Sequence, residues 1–272
     1  MYTISCFADE ISPKLTEQLD EMEKVHVRWL SLRSVENVNV LDLTDEQVRE
    51  IREALDGRGM NVSSIGSPIG KSPITDNSGN YLQQTARAIQ IAELLRCSRI
   101  RVFSFYMRPE EKNAYRAEVI DRLTKMADLA AESGITLVLE NEAGIYGEES
   151  LRCQDLLESV NRPNFLACFD PSNYVAAGEA PFDQSFPRVG SAVGYVHIKD
   201  SRRCDGVIVP AGQGDGQVSR ILTALADRAL FLTLEPHLAI AGKNRGFSGQ
   251  ALFEKAYCAL TDLLKEAGLS YQ

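Results

Sequence analysis

The chain has 272 residues, 44% hydrophobic and 25% charged, with 29 Lys+Arg against 38 Asp+Glu and a formal net charge of −9. That composition excludes disordered, collagen-like and coiled-coil classes, and an acidic chain lacks the basic face a nucleic-acid partner asks for. Six scattered cysteines build neither a zinc knot nor a CxxC pair, and no apolar run is long enough to cross a bilayer. The N-terminus lacks the basic and apolar stretches of a signal peptide, so the expectation is a cytoplasmic protein without a membrane role.

In chain order, short apolar runs alternate with amphipathic ones. The apolar runs are 2–7, 28–33, 61–66, 99–105, 135–140, 165–170, 192–197 and 230–235. Most are rich in Val, Ile, Leu and Phe without polar alternation, the pattern of parallel strands covered on both faces. Between them, Leu15, Leu19 and Met22 share a helical face, and Thr44 with Gln47 forms a capping box for a helix that stops at Gly57. Further helices are predicted over 81–95, 114–133, 150–160, 218–226 and 250–266, with Gly134 and Gly268 as C-cap glycines. The stretch 171–191 is irregular. Eight strands alternating with about eight helices predict a single-domain (β/α)₈ TIM barrel over 1–272. The rival open sheet would place a glycine-rich phosphate turn after the first strand, and 7–13 contain no glycine. Cys97, Cys168, Cys258 and Trp29 read as core, and His26 falls at the end of the barrel away from the chemistry.

In such a barrel the active site lies at the C-terminal ends of the strands. Four consecutive apolar runs end in Glu140, Asp170, His197 and Glu235. Each taken singly is as well explained as a cap for the next helix. Together they converge on one point and offer three carboxylates and one imidazole. Mostly hard donors suit Mn²⁺ first, with Mg²⁺, Co²⁺, Fe²⁺ and Zn²⁺ as alternatives, and leave positions open for substrate.

The segments Leu-Glu-Asn (139–141), Phe-Asp-Pro-Ser-Asn (169–173), His-Ile-Lys-Asp (197–200) and Leu-Glu-Pro (234–236) resemble the sugar phosphate isomerase/epimerase superfamily. This is the xylose-isomerase-like barrel group that contains ketose 3-epimerases, inosose dehydratase and endonuclease IV. The resemblance implies one divalent metal held by Glu140, Asp170, His197 and Glu235, with Glu140 and Glu235 also flanking a sugar or keto-sugar as an acid/base pair. It further implies a substrate-binding arginine at Arg203, with Arg202 as its substitute. Asn173 stands where the ketose epimerases carry histidine. Endonuclease chemistry needs more histidines than His26, His197 and His237.

The chemistry expected of the tetrad is proton abstraction next to a carbonyl through a cis-enediolate, with two carboxylates passing the proton between opposite faces. Epimerisation or isomerisation leads. A lyase or dehydratase that expels a β leaving group from a keto-sugar or keto-glycoside begins identically, and a non-catalytic sugar-binding barrel is the contrasting class. Around the tetrad, Lys199 shares the face of His197, and Glu142, His237 and Lys71 are candidate contacts to substrate. The Gly-rich loop 212–216 is expected to lie over the site. Lys243 and Arg245 suggest an anion pocket before the last helix. The composition is compatible with a homo-oligomer or a partner subunit.

Overall fold

The computed structural model describes residues 1–76, 78–238 and 248–272. Eight parallel strands close into a barrel: β1 (Thr3–Cys6), β2 (Trp29–Leu32), β3 (Asn61–Ile65), β4 (Arg99–Val102), β5 (Thr136–Glu140), β6 (Phe165–Phe169), β7 (Val193–Ile198) and β8 (Phe231–Leu234). Each pairs with its sequence neighbours, and β1 closes on β8 in the register Thr3↔Phe231 to Cys6↔Leu234. Seven lie within the predicted apolar runs, and β7 extends one residue past its run, to Ile198.

The surrounding helices are α1 (Leu15–Lys24), α2 (Asp45–Asp56), α3 (Asn80–Leu94), α4 (Lys112–Glu132), α5 (Ser150–Val160), α6 (Pro171–Ala176), α7 (Phe186–Val189), α8 (Val218–Ala224) and α9 (Gly249–Glu266). The capping box opens α2 as expected: Gln47 N donates to Thr44 Oγ1 at 3.2 Å, and Thr44 N to Gln47 Oε1 at 2.8 Å. Gly134 and Gly268 both take φ +67° just beyond α4 and α9. Between β6 and β7, Gly178, Pro181, Pro187 and Gly190 break the chain into two short helices with a π-turn over Pro181–Ser185. Among the described residues no helix is long and apolar enough to cross a membrane.

Two core expectations are corrected. Cys258 is exposed, because α9 turns that position away from the barrel. Trp29 is only half-buried and packs edge-on against Phe231, with ring centroids 5.0 Å apart. His26 is exposed, as expected of a surface position.

Leucine, isoleucine and valine fill the layer between strands and helices. The barrel interior is different. Tyr195 points inward from β7, and its hydroxyl lies 2.9 Å from Ser63 Oγ, 3.1 Å from Ser64 Oγ and 3.3 Å from Ser5 Oγ. Thr233 and Ser31 complete this buried hydroxyl layer. A polar layer inside a barrel is tolerated only while every member is paired. Tyr195→Phe removes the hub and should cost about 1–3 kcal/mol in denaturant unfolding. An unchanged midpoint would show that the hub is dispensable.

At the strands' C-terminal ends, the loop after β3 passes close beneath the chain after β4. Gly70 has φ +87°, and a Cβ there would meet Phe103 O at 2.1 Å, so the loop carrying Lys71 can take this path only with glycine.

Candidate metal and substrate site

The four predicted ligands stand on four neighbouring strands and converge. Glu140 ends β5, Asp170 follows β6, His197 lies in β7 and Glu235 follows β8. All are buried, and each offers a ligand atom within 4.8 Å of the others. His197 Nδ1 lies 3.1 Å from Glu140 Oε1 and 3.0 Å from Glu235 Oε2, so the imidazole sits between the two glutamates.

Asp170 does two things. Its Oδ1 accepts from Asn173 N at 2.9 Å and caps α6, while its Oδ2 faces the cluster 2.7 Å from Lys199 Nζ. One side chain therefore caps α6 while its other oxygen stays turned towards the cluster. Asn141 clamps the neighbouring strand end: its amide exchanges two 3.0 Å hydrogen bonds with the Asp170 main chain.

Three buried carboxylates crowd one site. Glu140 Oε2, Asp170 Oδ2 and Glu235 Oε2 are buried and face, in turn, Arg101 Nη1 at 3.2 Å, Lys199 Nζ at 2.7 Å and His197 Nδ1 at 3.0 Å. The donor set of three carboxylate oxygens and an imidazole nitrogen fits one divalent ion. Arginine and lysine partly offset the negative charge. Arg101 Nη1 lies 3.2 Å from Glu140 Oε2, Arg33 Nη1 2.9 Å from Glu235 Oε1, and Lys199 Nζ 4.0 Å from Glu235 Oε2.

The local field sets the protonation. Burial pushes Glu140 upward, but His197 and Arg101 outweigh it and hold the carboxyl at about 2. Glu235 likewise falls well below its ordinary range, with Lys199 and His197 overcoming burial. For Asp170 burial prevails over Lys199, aided by Glu140 and Glu235, and raises it to about 6. Burial disfavours charge on His197, yet Cys168 and Glu140 hold it well above its usual value.

Glu140 and Glu235 of the tetrad border a cavity of about 750 Å³ whose lining also includes Arg33, Lys71, Arg101, Glu142, Asn173, Lys199, Arg203 and His237. Every predicted substrate contact thus borders the same space. Several are already engaged. Lys71 Nζ lies 2.7 Å from Glu142 Oε2. Asn173 Nδ2 donates to Asn141 O at 2.8 Å and reaches Glu140 Oε1 at 3.5 Å. Arg203 Nη1 donates to Gly178 O at 2.7 Å, and Nη2 to Glu179 O. Arg202, the alternative, pairs with Asp205 at 2.7 Å. His237 takes φ +45° and places Nε2 3.5 Å from Glu10 Oε1 and 3.8 Å from Glu235 Oε1. Lys243 and Arg245 lie outside the described residues.

Sequence reasoning missed Arg101, Phe7, Asp9 and Asp200. An arginine inside an apolar strand is a signal in itself, since it is costly to bury unpaired. Phe7, just past β1, carries Arg33 and Arg101 over its ring at 4.6 and 4.9 Å and meets His197 edge-on. Asp9 Oδ2 accepts from Arg33 Nε at 2.8 Å. The glycine loop does not lie over the site as a free turn; it wraps the carboxylate of Asp200. Gly212 N and Gly214 N donate to Oδ2 at 2.9 and 3.0 Å, and Gly216 N and Ser201 N donate to Oδ1 at 2.8 Å each. A Cβ at Gly214 or Gly216 would fall within 2.6 Å of that carboxylate.

The carboxylate–imidazole cluster lies at the C-terminal ends of the strands of a closed parallel barrel, the place where barrels of this kind build their active sites. Residues 27–246 match the model of the xylose isomerase-like TIM barrel family, and the chain belongs to that family. A curated relative, the probable L-ribulose-5-phosphate 3-epimerase UlaE of Mycoplasma pneumoniae, is 23% identical over 68% of this chain. The match spans 62% of that relative's length. Among solved structures, the IOLI protein with a bound zinc atom superposes with TM-score 0.78 at 16% identity, covering 97% of this chain and 99% of that one. The probable 3-DHS dehydratase AsbF from Bacillus anthracis gives 0.76 at 16% identity, covering 96% and 99%. At these identities the two structures show a shared fold.

Proposed function

We propose that this chain is a divalent-metal-dependent enzyme that abstracts a proton next to the carbonyl of a keto-sugar and delivers a proton to the resulting cis-enediolate, either on the opposite face of the same carbon or on the neighbouring carbon. It would thus act as an epimerase or isomerase with Glu140 and Glu235 as its acid/base pair. The observation that carries this reading is the placement of the two glutamates on either side of His197, both bordering one cavity. Both stay ionised in the low dielectric of the site, so either can accept a proton. Glu140, Asp170, His197 and Glu235 would hold the ion, Mn²⁺ first among the candidates. Bound there, it would neutralise charge developing on the substrate's adjacent oxygens.

The surrounding residues have assignable parts. Arg101 and Arg33 hold Glu140 Oε2 and Glu235 Oε1, while Glu140 Oε1 and Glu235 Oε2 lie against His197 Nδ1. Lys199, held by Asp170, presents an ammonium to the cavity and can stabilise an oxyanion. The curated relative's name falls in the same reaction class, that of a 3-epimerase acting on a ketose phosphate.

One observation favours a second outcome. Asn173 spends its amide on Asn141 O, so the substrate contact that the ketose epimerases make from this position is altered. A lyase or dehydratase would use the same first proton transfer and then expel a β leaving group. Incubating the metal-loaded protein with ketoses in D₂O tests the common step. Deuterium should appear at the carbon next to the carbonyl; its absence from every ketose in a broad panel would contradict the proposal. Product analysis then separates a changed stereocentre from lost water or aglycone.

Metal binding carries its own pH signature. Ligands must shed protons to bind a cation, and Asp170 with a value near 6 and a protonated His197 both oppose it in acid. Mn²⁺ affinity measured by calorimetry should rise as pH increases through 6, with protons released to the buffer. Flat affinity between pH 5 and 7.5 would contradict this.

A further inference from the structure

Glu140 ends β5 and Glu235 follows β8, and β6 and β7 lie between those strands, so no main-chain ladder joins the two glutamates directly. Two carboxylates that serve one proton transfer need a fixed separation, since a misplacement of about 1 Å costs on the order of 10²-fold in rate. Their side-chain partners hold them. Arg101 Nη1 lies against Glu140 Oε2, Arg33 Nη1 against Glu235 Oε1, and His197 Nδ1 against the other oxygen of each.

Those three partners meet on one ring. Phe7, just past β1, has the guanidinium carbons of Arg33 and Arg101 over it, 4.6 and 4.9 Å from its centroid. His197 meets it edge-on, with centroids 5.2 Å apart and planes at 80°. Arg101 rests on a second ring as well, Phe103, again at 4.9 Å. The loop after β3 leaves room for this stack. A Cβ at Gly66 would lie 2.6 Å from Phe7 Cε1 and 3.1 Å from Arg33 Cβ. Phe7 is fully buried and is not among the described residues that border the cavity, so it reaches a substrate only through its neighbours.

A ring suits this place better than an aliphatic side chain. An aromatic face attracts a desolvated cation without offering it a lone pair. The N–H groups of each guanidinium therefore stay on their oxygens while its plane packs. For Arg101 these are Glu140 Oε2 at 3.2 Å, Gly66 O at 3.1 Å and Ser67 O at 3.4 Å. For Arg33 they are Glu235 Oε1 at 2.9 Å and Asp9 Oδ2 at 2.8 Å. Leucine would fill the space and leave two like charges side by side without that attraction.

We infer that Phe7 is a positioning residue: through Arg33, Arg101 and His197 its ring holds Glu235 and Glu140 at one separation and orientation. This rests on the proposed function for what the glutamates do, and on the contacts alone for how they are held.

The test keeps the ring's shape and weakens its face. The full-length protein is made with mono-, di- and trifluorinated phenylalanine at position 7, since fluorine withdraws negative charge from the face that the cations sit on. Mn²⁺-loaded samples are assayed for deuterium exchange into L-ribulose and the other ketoses of the panel, and Co²⁺-loaded samples for visible absorption. The exchange rate at saturating ketose should fall stepwise, by about tenfold at the trifluorinated ring, with KM nearly unchanged. The Co²⁺ bands, which report ligand geometry at Glu140 and Glu235, should shift in the same order. Fluorination of Phe253, buried in α9 with no cation over its ring among the described residues, should move neither. Phe7→Leu should resemble the trifluorinated ring, and Phe7→Tyr, which keeps the face, should recover most of the rate. If Phe7→Leu does not fold, the fluorinated series decides. The inference is overturned if rate and bands stay level across that series, if KM rises while the saturating rate holds, or if the Phe253 series gives the same trend. Level rates and bands with exchange intact remove this inference and leave the enzymatic reading standing. Bands that shift in order while no ketose exchanges in any sample do the reverse.

Discussion

Glu235→Gln is expected to abolish exchange of substrate C–H with solvent deuterium while the barrel stays folded. The amide cannot accept the proton, and losing a general base costs roughly 10²–10⁴-fold. Glu140→Gln should fall in the same range. The double variant should lose much less than the product of the two effects, because the carboxylates act as a unit on one proton. Folding should survive, since Arg33 keeps Asp9 2.8 Å away and removing one of three buried carboxylates relieves repulsion. Circular dichroism and bound-metal analysis at saturating Mn²⁺ separate lost chemistry from a lost ion. Wild-type exchange by metal-saturated Glu235→Gln would end the assignment of this residue.

Asp200→Ala should be the most damaging change that touches none of the four ligands. The carboxylate accepts four main-chain N–H groups, and alanine leaves the buried ones without partners. The loss should be about 2–4 kcal/mol, or roughly 5–15 °C in Tm for a chain of this size. The loop also holds Asp215 against the Arg203 backbone, and Lys199 immediately precedes Asp200. Turnover should therefore fall together with stability. Asp200→Asn, which retains one carbonyl acceptor, should lose less of both. A Tm within 2 °C of wild type for Asp200→Ala would show that water replaces the carboxylate freely.

The fold was legible because parallel strands covered on both faces read as unbroken apolar runs, and each of the eight stands where such a run does. The site was legible for a related reason: a barrel points its strand ends at one place, so Glu140, Asp170, His197 and Glu235 could be brought together by counting strands. What escaped was pairing across the barrel. Nothing local says that Arg101, 39 positions before Glu140, turns inward to meet it. Nor does the run containing Ser63 and Ser64 announce that they share a tyrosine hydroxyl 131 residues or more away. Asp200 looked like the tail of a motif, and the alternating glycines looked like a turn. Only their meeting shows that the glycines are spaced to put successive N–H groups on a single carboxylate. Cys258 failed in the other direction, because an apolar neighbourhood in sequence does not fix which face of α9 a residue occupies.

The four candidate ligands all come from β5 to β8, whereas the two arginines that grip the glutamates come from β2 and β4. The second half of the barrel thus supplies the reactive groups together with Lys199 and His197, which lead in lowering Glu235 and Glu140, while the first half adds the arginine clamps. A chimaera joining the second half of this chain to the first half of a family relative would keep the tetrad and exchange those clamps. Drift in one half can thus retune the reaction while the groups that perform it stay fixed in the other.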